Sequence, residues 1–347
     1  MSADEGDCTA IQGVLNSGKR SESATQRESR HGRWVVTGWV LFMIGQLVIP
    51  ILTGNTYTLQ VINTMALYVL LTMSMNILLG YAGLIAFGHA GLMGIGAYTT
   101  ALLVVKGGYS FWVTFPLSCL LAGMVGLLVG LPALLVKGHY LALVTLGFGE
   151  ILRLIMLNWV SFTNGPNGIS IGPAKIFGFQ IGNDVRFFYM IWVFLVIGQI
   201  VCHRLRYSRA GRAMLAIKGD ELAASVTGVE VARIKLLAFF MSAVIAGASG
   251  SLFAYFLRYV NPDSFTLEVS VNVVMIILMG GVGQLSAPWI GSVVLIGLGE
   301  YLRFMGHYRE IVFGLFIMLI LMFMPKGMAA LFGSLARNLY SRWRRTQ

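Results

Sequence analysis

Apolar runs about as long as a membrane-crossing helix alternate along the chain with short polar breaks, and that alternation predicts the fold. A helix needs about 20 apolar residues to cross the hydrocarbon core of a bilayer. Ten runs qualify: Trp34 to Thr53, Leu59 to Leu79, Leu84 to Val105, Phe111 to Val136, Tyr140 to Val160, Phe187 to Arg204, Leu236 to Leu257, Phe265 to Gly281, Pro288 to Tyr301 and Ile311 to Met324. The eighth and ninth are short, so tilted, broken or incompletely spanning helices are expected there. The pattern reads as an all-α integral membrane protein of about ten transmembrane helices, with one long polar interruption at 204–235. Residues 1–33 read as a disordered polar tail, 34–325 as one membrane domain and 326–347 as a basic tail.

Composition sharpens this picture. Hydrophobic residues make up 57% of the chain and charged ones 11%, against about 25% charged in soluble domains. The formal charge of +11 would suit a nucleic-acid partner only on a basic face with interleaved aromatics. Here the basic residues gather at the ends of apolar runs, which points to the lipid bilayer and to no nucleic acid. Basic loops resist translocation. With a cytoplasmic N-terminus and ten spans, 18 Lys and Arg fall on the cytoplasmic side, 6 on the other, and Arg153 inside a helix. That bias predicts cytoplasmic termini and a cytoplasmic central loop.

Candidate chemistry is sparse. Gly13 to Lys19 reads GVLNSGK, like the start of a phosphate-binding loop, but Arg20 stands where Ser or Thr should hold magnesium, and no strand precedes it. The chain is not expected to hydrolyse ATP. No HExxH, GxSxG or CxxC spacing occurs, and Cys8, Cys119 and Cys202 are scattered, so no metal site, cofactor or enzyme chemistry is expected.

Three polar groups stand inside apolar runs. His89 lies in GLIAFGHAGLMGIGAY; a packed core histidine and a group lining a polar path both fit. Glu150 and Arg153 share one helix face and can pair, which lowers the ~2.5–3.5 kcal/mol cost of placing a charge in the membrane. A structural ion pair and a pathway pair fit equally. Glycines at Gly80 to Gly96 and Gly280 to Gly291 suit close helix packing, while Gly281, Gly283 and Pro288 would also suit a helix broken around a substrate path. The turn-rich TNGPNGISI at Thr163 to Ile171 predicts a structured external loop.

The central stretch, Arg204 to Leu236, is amphipathic. Met214, Leu215, Ile217, Leu222, Ala223, Val226, Val229 and Val231 form an apolar face, and Arg209, Arg212, Lys218 and Arg233 a polar one. Short helices that dock another protein fit this pattern, as does a basic helix on anionic lipid.

Several stretches together resemble the branched-chain amino acid ABC transporter permeases, the LivM-like subunit in particular. They are GLIAFGHAGLMGIGAYTTALL at Gly83 to Leu103, GHYLALVTLGFGEILRLIMLNW at Gly138 to Trp159, TNGPNGIS at Thr163 to Ser170, AGRAMLAIKGDELAASVTGV in the central loop, and the closing YREIVFGLFIMLILMFMPKGM. The similarity runs from about Leu59 to Met328. It implies an importer of two permease subunits, two cytoplasmic ATP-binding subunits and a periplasmic or external substrate-binding protein, sited in the cell inner membrane. This chain would be one permease. It implies an ATPase-coupling loop carrying Arg212, Asp220, Glu221, Ala223, Ala224 and Gly228, in which Leu222 separates Glu221 from the alanine pair, a departure from the family pattern. His89, Glu150 and Arg153 are the candidate translocation path. The implied substrates are leucine, isoleucine and valine or related amino acids. Urea or another small polar solute is the alternative, as is an ion-coupled secondary transporter using Glu150 and His89.

Overall fold

The computed structural model describes residues 55–323 apart from 137, 177 and 178, together with 45, 46, 50, 327 and 328. The predicted helix at Trp34 to Thr53 and the two tails lie almost wholly outside the described residues. The chain divides into two units between Asn55 and Thr56, and the helices named below belong to the second.

Every other predicted run is largely helical among the described residues. The principal helices are α1 (Thr56–Met75), α2 (His89–Gly107), α3 (Phe111–Gly130), α4 (His139–Asn158), α5 (Asp184–Tyr207), α6 (Arg209–Gly219), α7 (Glu221–Val226), α8 (Val231–Leu257), α9 (Leu267–Gly280), α10 (Ala287–Tyr301) and α11 (Arg309–Phe323). Among the described residues, seven helical spans are long and apolar enough to cross a membrane. The chain is a multi-pass membrane protein. The two runs expected to be short are short: α9 has 14 residues and α10 has 15, or about 21–22 Å each at 1.5 Å per residue.

Helix α8 is the centre of the bundle and packs against α3, α2 and α1. Its 27 residues include a run of Ala, Gly and Ser from Ala246 to Ser251. A Cβ on Gly96 of α2 would collide with the backbone of Gly247. Small side chains thus let the backbones approach, which is how membrane helices associate where lipid is as apolar as the partner. Hydroxyls on α8 and its neighbours bridge the same contacts. Ser242 Oγ donates to the Ser74 carbonyl at 2.9 Å, Ser249 Oγ to the Leu67 carbonyl at 3.1 Å, and Thr100 Oγ1 to Ser251 Oγ at 2.7 Å. Large apolar side chains point outward instead, among them Leu128, Leu143, Ile151, Ile155, Ile197 and Ile200, a surface suited to hydrocarbon.

Two boundaries differ from the sequence pattern. Helix α1 continues as a π-helical segment, Asn76–Ala82, that stops at Gly83 with φ 71°. Residues 84–88 are then not helical, so α2 begins at His89 although the apolar pattern starts at Leu84. Hydropathy cannot register this, because an extended apolar segment and a helical one look alike in composition. The break expected around Gly281 and Gly283 is present as a turn: both have positive φ, 114° and 83°, and Pro288 sits in the first turn of α10. Helices α9 and α10 form an antiparallel hairpin across it.

At the end of the bundle that carries the Thr56 end of α1, short strands tie the loops. β1 (Ile169–Ser170) pairs antiparallel with β4 (Tyr259–Val260), and β2 (Ala174–Ile176) with β3 (Phe179–Ile181). The turn-rich Thr163 to Ile171 stretch is structured, with Asn164 Nδ2 donating to the Gly168 carbonyl at 2.8 Å.

Candidate functional site

Two regions gather the polar residues singled out above. The first is a cavity of about 130 Å³ where the start of α2 meets α4 and α9. Phe87, Ala90, Gly149, Glu150, Phe265 and Ser270 are among its walls. Among the described residues Glu150 is the one charged group lining it, and the remaining walls are mostly apolar.

Glu150 and Arg153 pair as their spacing predicts. Arg153 Nη2 and Nε donate to Glu150 Oε1 at 2.6 and 2.9 Å. A partner that no periodicity indicates is Asp263, in the turn before α9, whose Oδ1 lies 3.5 Å from Arg153 Nη1. The Glu150 side chain remains 40% exposed and that of Arg153 20%. On a membrane helix such a face must meet protein or water, not hydrocarbon.

His89 is fully buried and turns toward α8, with Nε2 3.0 Å from Ser242 Oγ. It does not line the cavity; its neighbour Ala90 does, and the Ala90 N–H donates to Ser270 Oγ at 3.0 Å. The structure therefore brings Glu150 and Arg153 together and sets His89 in a hydroxyl network linking α1, α2 and α8.

The second region is the pair of short helices α6 and α7. Each is capped as helix starts generally are, by a side-chain oxygen that accepts from otherwise unpaired backbone N–H groups. Ser208 Oγ accepts from Gly211 N at 3.0 Å, and Asp220 Oδ1 from Leu222 N and Ala223 N at 2.8 and 3.0 Å. Asp220 thus starts α7, and Gly228, with φ 87°, turns the chain after it. Arg212 Nη1 donates to the Tyr207 carbonyl at 2.9 Å. Within α7, Ala223 is exposed and Ala224 buried. Leu222 and Val226, one turn apart, are 75% and 83% exposed.

Glu221 closes an ion pair that sequence spacing did not suggest. Lys235, the fifth residue of α8, is buried, and its Nζ lies 2.9 Å from Glu221 Oε1. The only forewarning was a lysine at the start of a long apolar run, a position that ordinarily reads as a membrane-boundary charge. The same region holds Lys218, whose Nζ donates to the Gly80 carbonyl at 2.8 Å.

Residues 57–324 match a family described as branched-chain amino acid transport system / permease component. The chain is 37% identical over 258 residues to the high-affinity branched-chain amino acid transport system permease protein LivM of Salmonella typhimurium strain LT2, covering 67% of this chain and 61% of that protein. Identity to LivM of Escherichia coli strain K12 is 36% over the same shares. To LivH of Escherichia coli strain K12 it is 26% over 188 residues, 51% of this chain and 60% of that protein. The alignments thus span about three fifths of the length of these relatives. No solved structure matches.

Proposed function

The chain belongs to the branched-chain amino acid transport system permease family, and on that premise we propose that it is one permease subunit of an ATP-binding cassette importer. It works with a second permease subunit, two cytoplasmic ATP-binding subunits and an external substrate-binding protein, and it carries leucine, isoleucine and valine or related amino acids inward. It is a transport subunit, and ATP hydrolysis belongs to its partners. Both termini and the α6–α7 pair face the cytoplasm, with the β1–β4 ribbon outside.

The observation that carries this reading is the outward apolar pair Leu222 and Val226 on a short helix within a polar loop. Apolar side chains that water would otherwise surround mark a docking face. Arg212, Asp220, Glu221, Ala223, Ala224 and Gly228 build that element: Asp220 caps α7, Gly228 ends it, and Ala224 seats it against the bundle. ATP binding by the partner subunits moves the element, and the permease pair switches access by differential binding of its two states. Glu150 lines the path and Arg153 holds it there, His89 supports it from behind, and the walls beside Glu150 offer apolar surface to an aliphatic side chain.

Leucine uptake into vesicles holding the complete importer tests this. Uptake that needs both ATP and the binding protein is expected, with valine and isoleucine competing. Competition by urea instead would replace the substrate. Uptake by this chain alone, driven by an ion gradient, would overturn the importer reading in favour of a secondary carrier.

A further inference from the structure

We infer that Lys218, near the end of α6, and Arg206, at the adjoining end of α5, are positioning residues that carry movement of the α5–α6 corner to the non-helical segment Gly83 to Gly88, and through it to the wall of the Glu150 cavity. This rests on the reading of α6 and α7 as the ATPase-facing element, and it adds the route by which that element reaches the transport path.

Four parts of the chain meet in one joint. Lys218 Nζ donates to the Gly80 carbonyl, and a Cβ on Gly83 would stand 2.9 Å from Lys218 Cγ. Arg206 Nη1 donates to the Gly283 carbonyl at 2.8 Å, and its guanidinium lies 6.0 Å from the ring centroid of Tyr81. The Gly283 N–H donates to Asn76 Oδ1 at 3.1 Å, and Asn76 Nδ2 donates to the Gln284 carbonyl at 2.9 Å. The end of α6, the end of α5, the π-helical end of α1 and the α9–α10 turn are therefore held by one set of hydrogen bonds. Lys218 sits on a carbonyl at the end of a helical segment, where positive charge is favoured. Partial burial, and then the neighbouring Arg206, push the Lys218 ammonium pKa down.

From this joint the chain runs straight to the cavity. Four residues past Gly83 lies Phe87, a cavity wall, whose N–H donates to Thr145 Oγ1 of α4 at 3.0 Å. Gly88 packs on Gly149, the residue before Glu150. A π-helical turn followed by six non-helical residues has no unbroken ladder of helical bonds, so a rotation at Gly83 shifts Phe87 without unwinding a helix. Hinge motions use such segments, and π-helical turns recur at functional positions.

The test uses the reconstituted importer with all its subunits. Lys218→Met keeps the aliphatic stem and removes the donor. The ATP-binding subunits should still co-purify and hydrolyse ATP, while uptake per ATP hydrolysed falls about fivefold or more. Lys218→Arg, which still reaches a carbonyl, should restore most of it. A Phe87→Cys reporter gives a second reading: its thiol labelling rate should change on ATP addition, and Lys218→Met should abolish that change. Uptake per ATP within about twofold of the parent in the double variant Lys218→Met, Arg206→Gln, or an unaltered ATP response of the reporter, would overturn the inference. Failure of the docking reading looks different, because the ATP-binding subunits would then remain bound when Leu222 and Val226 are both changed to Glu.

Discussion

Removing the carboxylate of Glu221 should strand a buried ammonium. Lys235 is 2% exposed, and among the described residues Glu221 is the carboxylate within ion-pair distance of it. Loss of one partner from a fully buried pair costs about 3–5 kcal/mol, because the remaining charge keeps its desolvation penalty without the attraction that offset it. The Glu221 side chain is 31% exposed, so water can reach the gap, and roughly 2–3 kcal/mol is the better figure for Glu221→Ala. Lys235→Met should behave differently, since a neutral side chain of similar length fills the same space, and its cost should stay below about 1 kcal/mol. The double variant Glu221→Ala, Lys235→Met should then be more stable than Glu221→Ala alone. Thermal unfolding of the purified chain in detergent measures this. The single carboxylate loss should lower Tm by on the order of 5 °C, and adding Lys235→Met should recover most of that. The reasoning is refuted if Glu221→Ala melts with the parent, or if the double variant melts no higher than Glu221→Ala.

Three further outcomes are expected. Leu222→Glu with Val226→Glu, at 75% and 83% exposed positions, should leave Tm within a degree or two and yet release the ATP-binding subunits on co-purification; retention of those subunits would count against the docking face. Glu150→Gln should leave expression near normal, since Arg153 keeps Asp263 as a partner, while slowing uptake by about tenfold or more; unchanged uptake kinetics at equal expression would remove Glu150 from the path. Single cysteines at the exposed positions Ala216 and Asn183 should be labelled by a membrane-impermeant thiol reagent from the cytoplasmic and the external side respectively, and labelling of both from one side would break the topology.

The bundle was legible in the sequence because the bilayer imposes a length on every helix that crosses it. Runs such as Phe111 to Val136 therefore appear in the structure almost residue for residue. The Glu150 and Arg153 pair was equally legible, since three residues on a helix set two side chains side by side whatever surrounds them. That the central stretch folds as short helices was legible too, because its apolar and polar positions alternate locally, while their caps at Ser208 and Asp220 came from the structure. The family resemblance, carried by contiguous stretches, was readable for the same reason.

What the tertiary structure alone decided are the contacts between residues far apart in the chain. Glu221 with Lys235, Arg153 with Asp263, Lys218 with Gly80 and Arg206 with Gly283 follow no helical period, because each depends on which helix ends the packing brings together. The non-helical segment after Gly83 was hidden too, being as apolar as the helix predicted there. The outward turn of Leu222 and Val226 and the burial of Ala224 depended on the side from which α7 meets the bundle. Local periodicity determines which face of a helix is apolar, and only the packing of distant helices determines what that face, and the charges beside it, will touch.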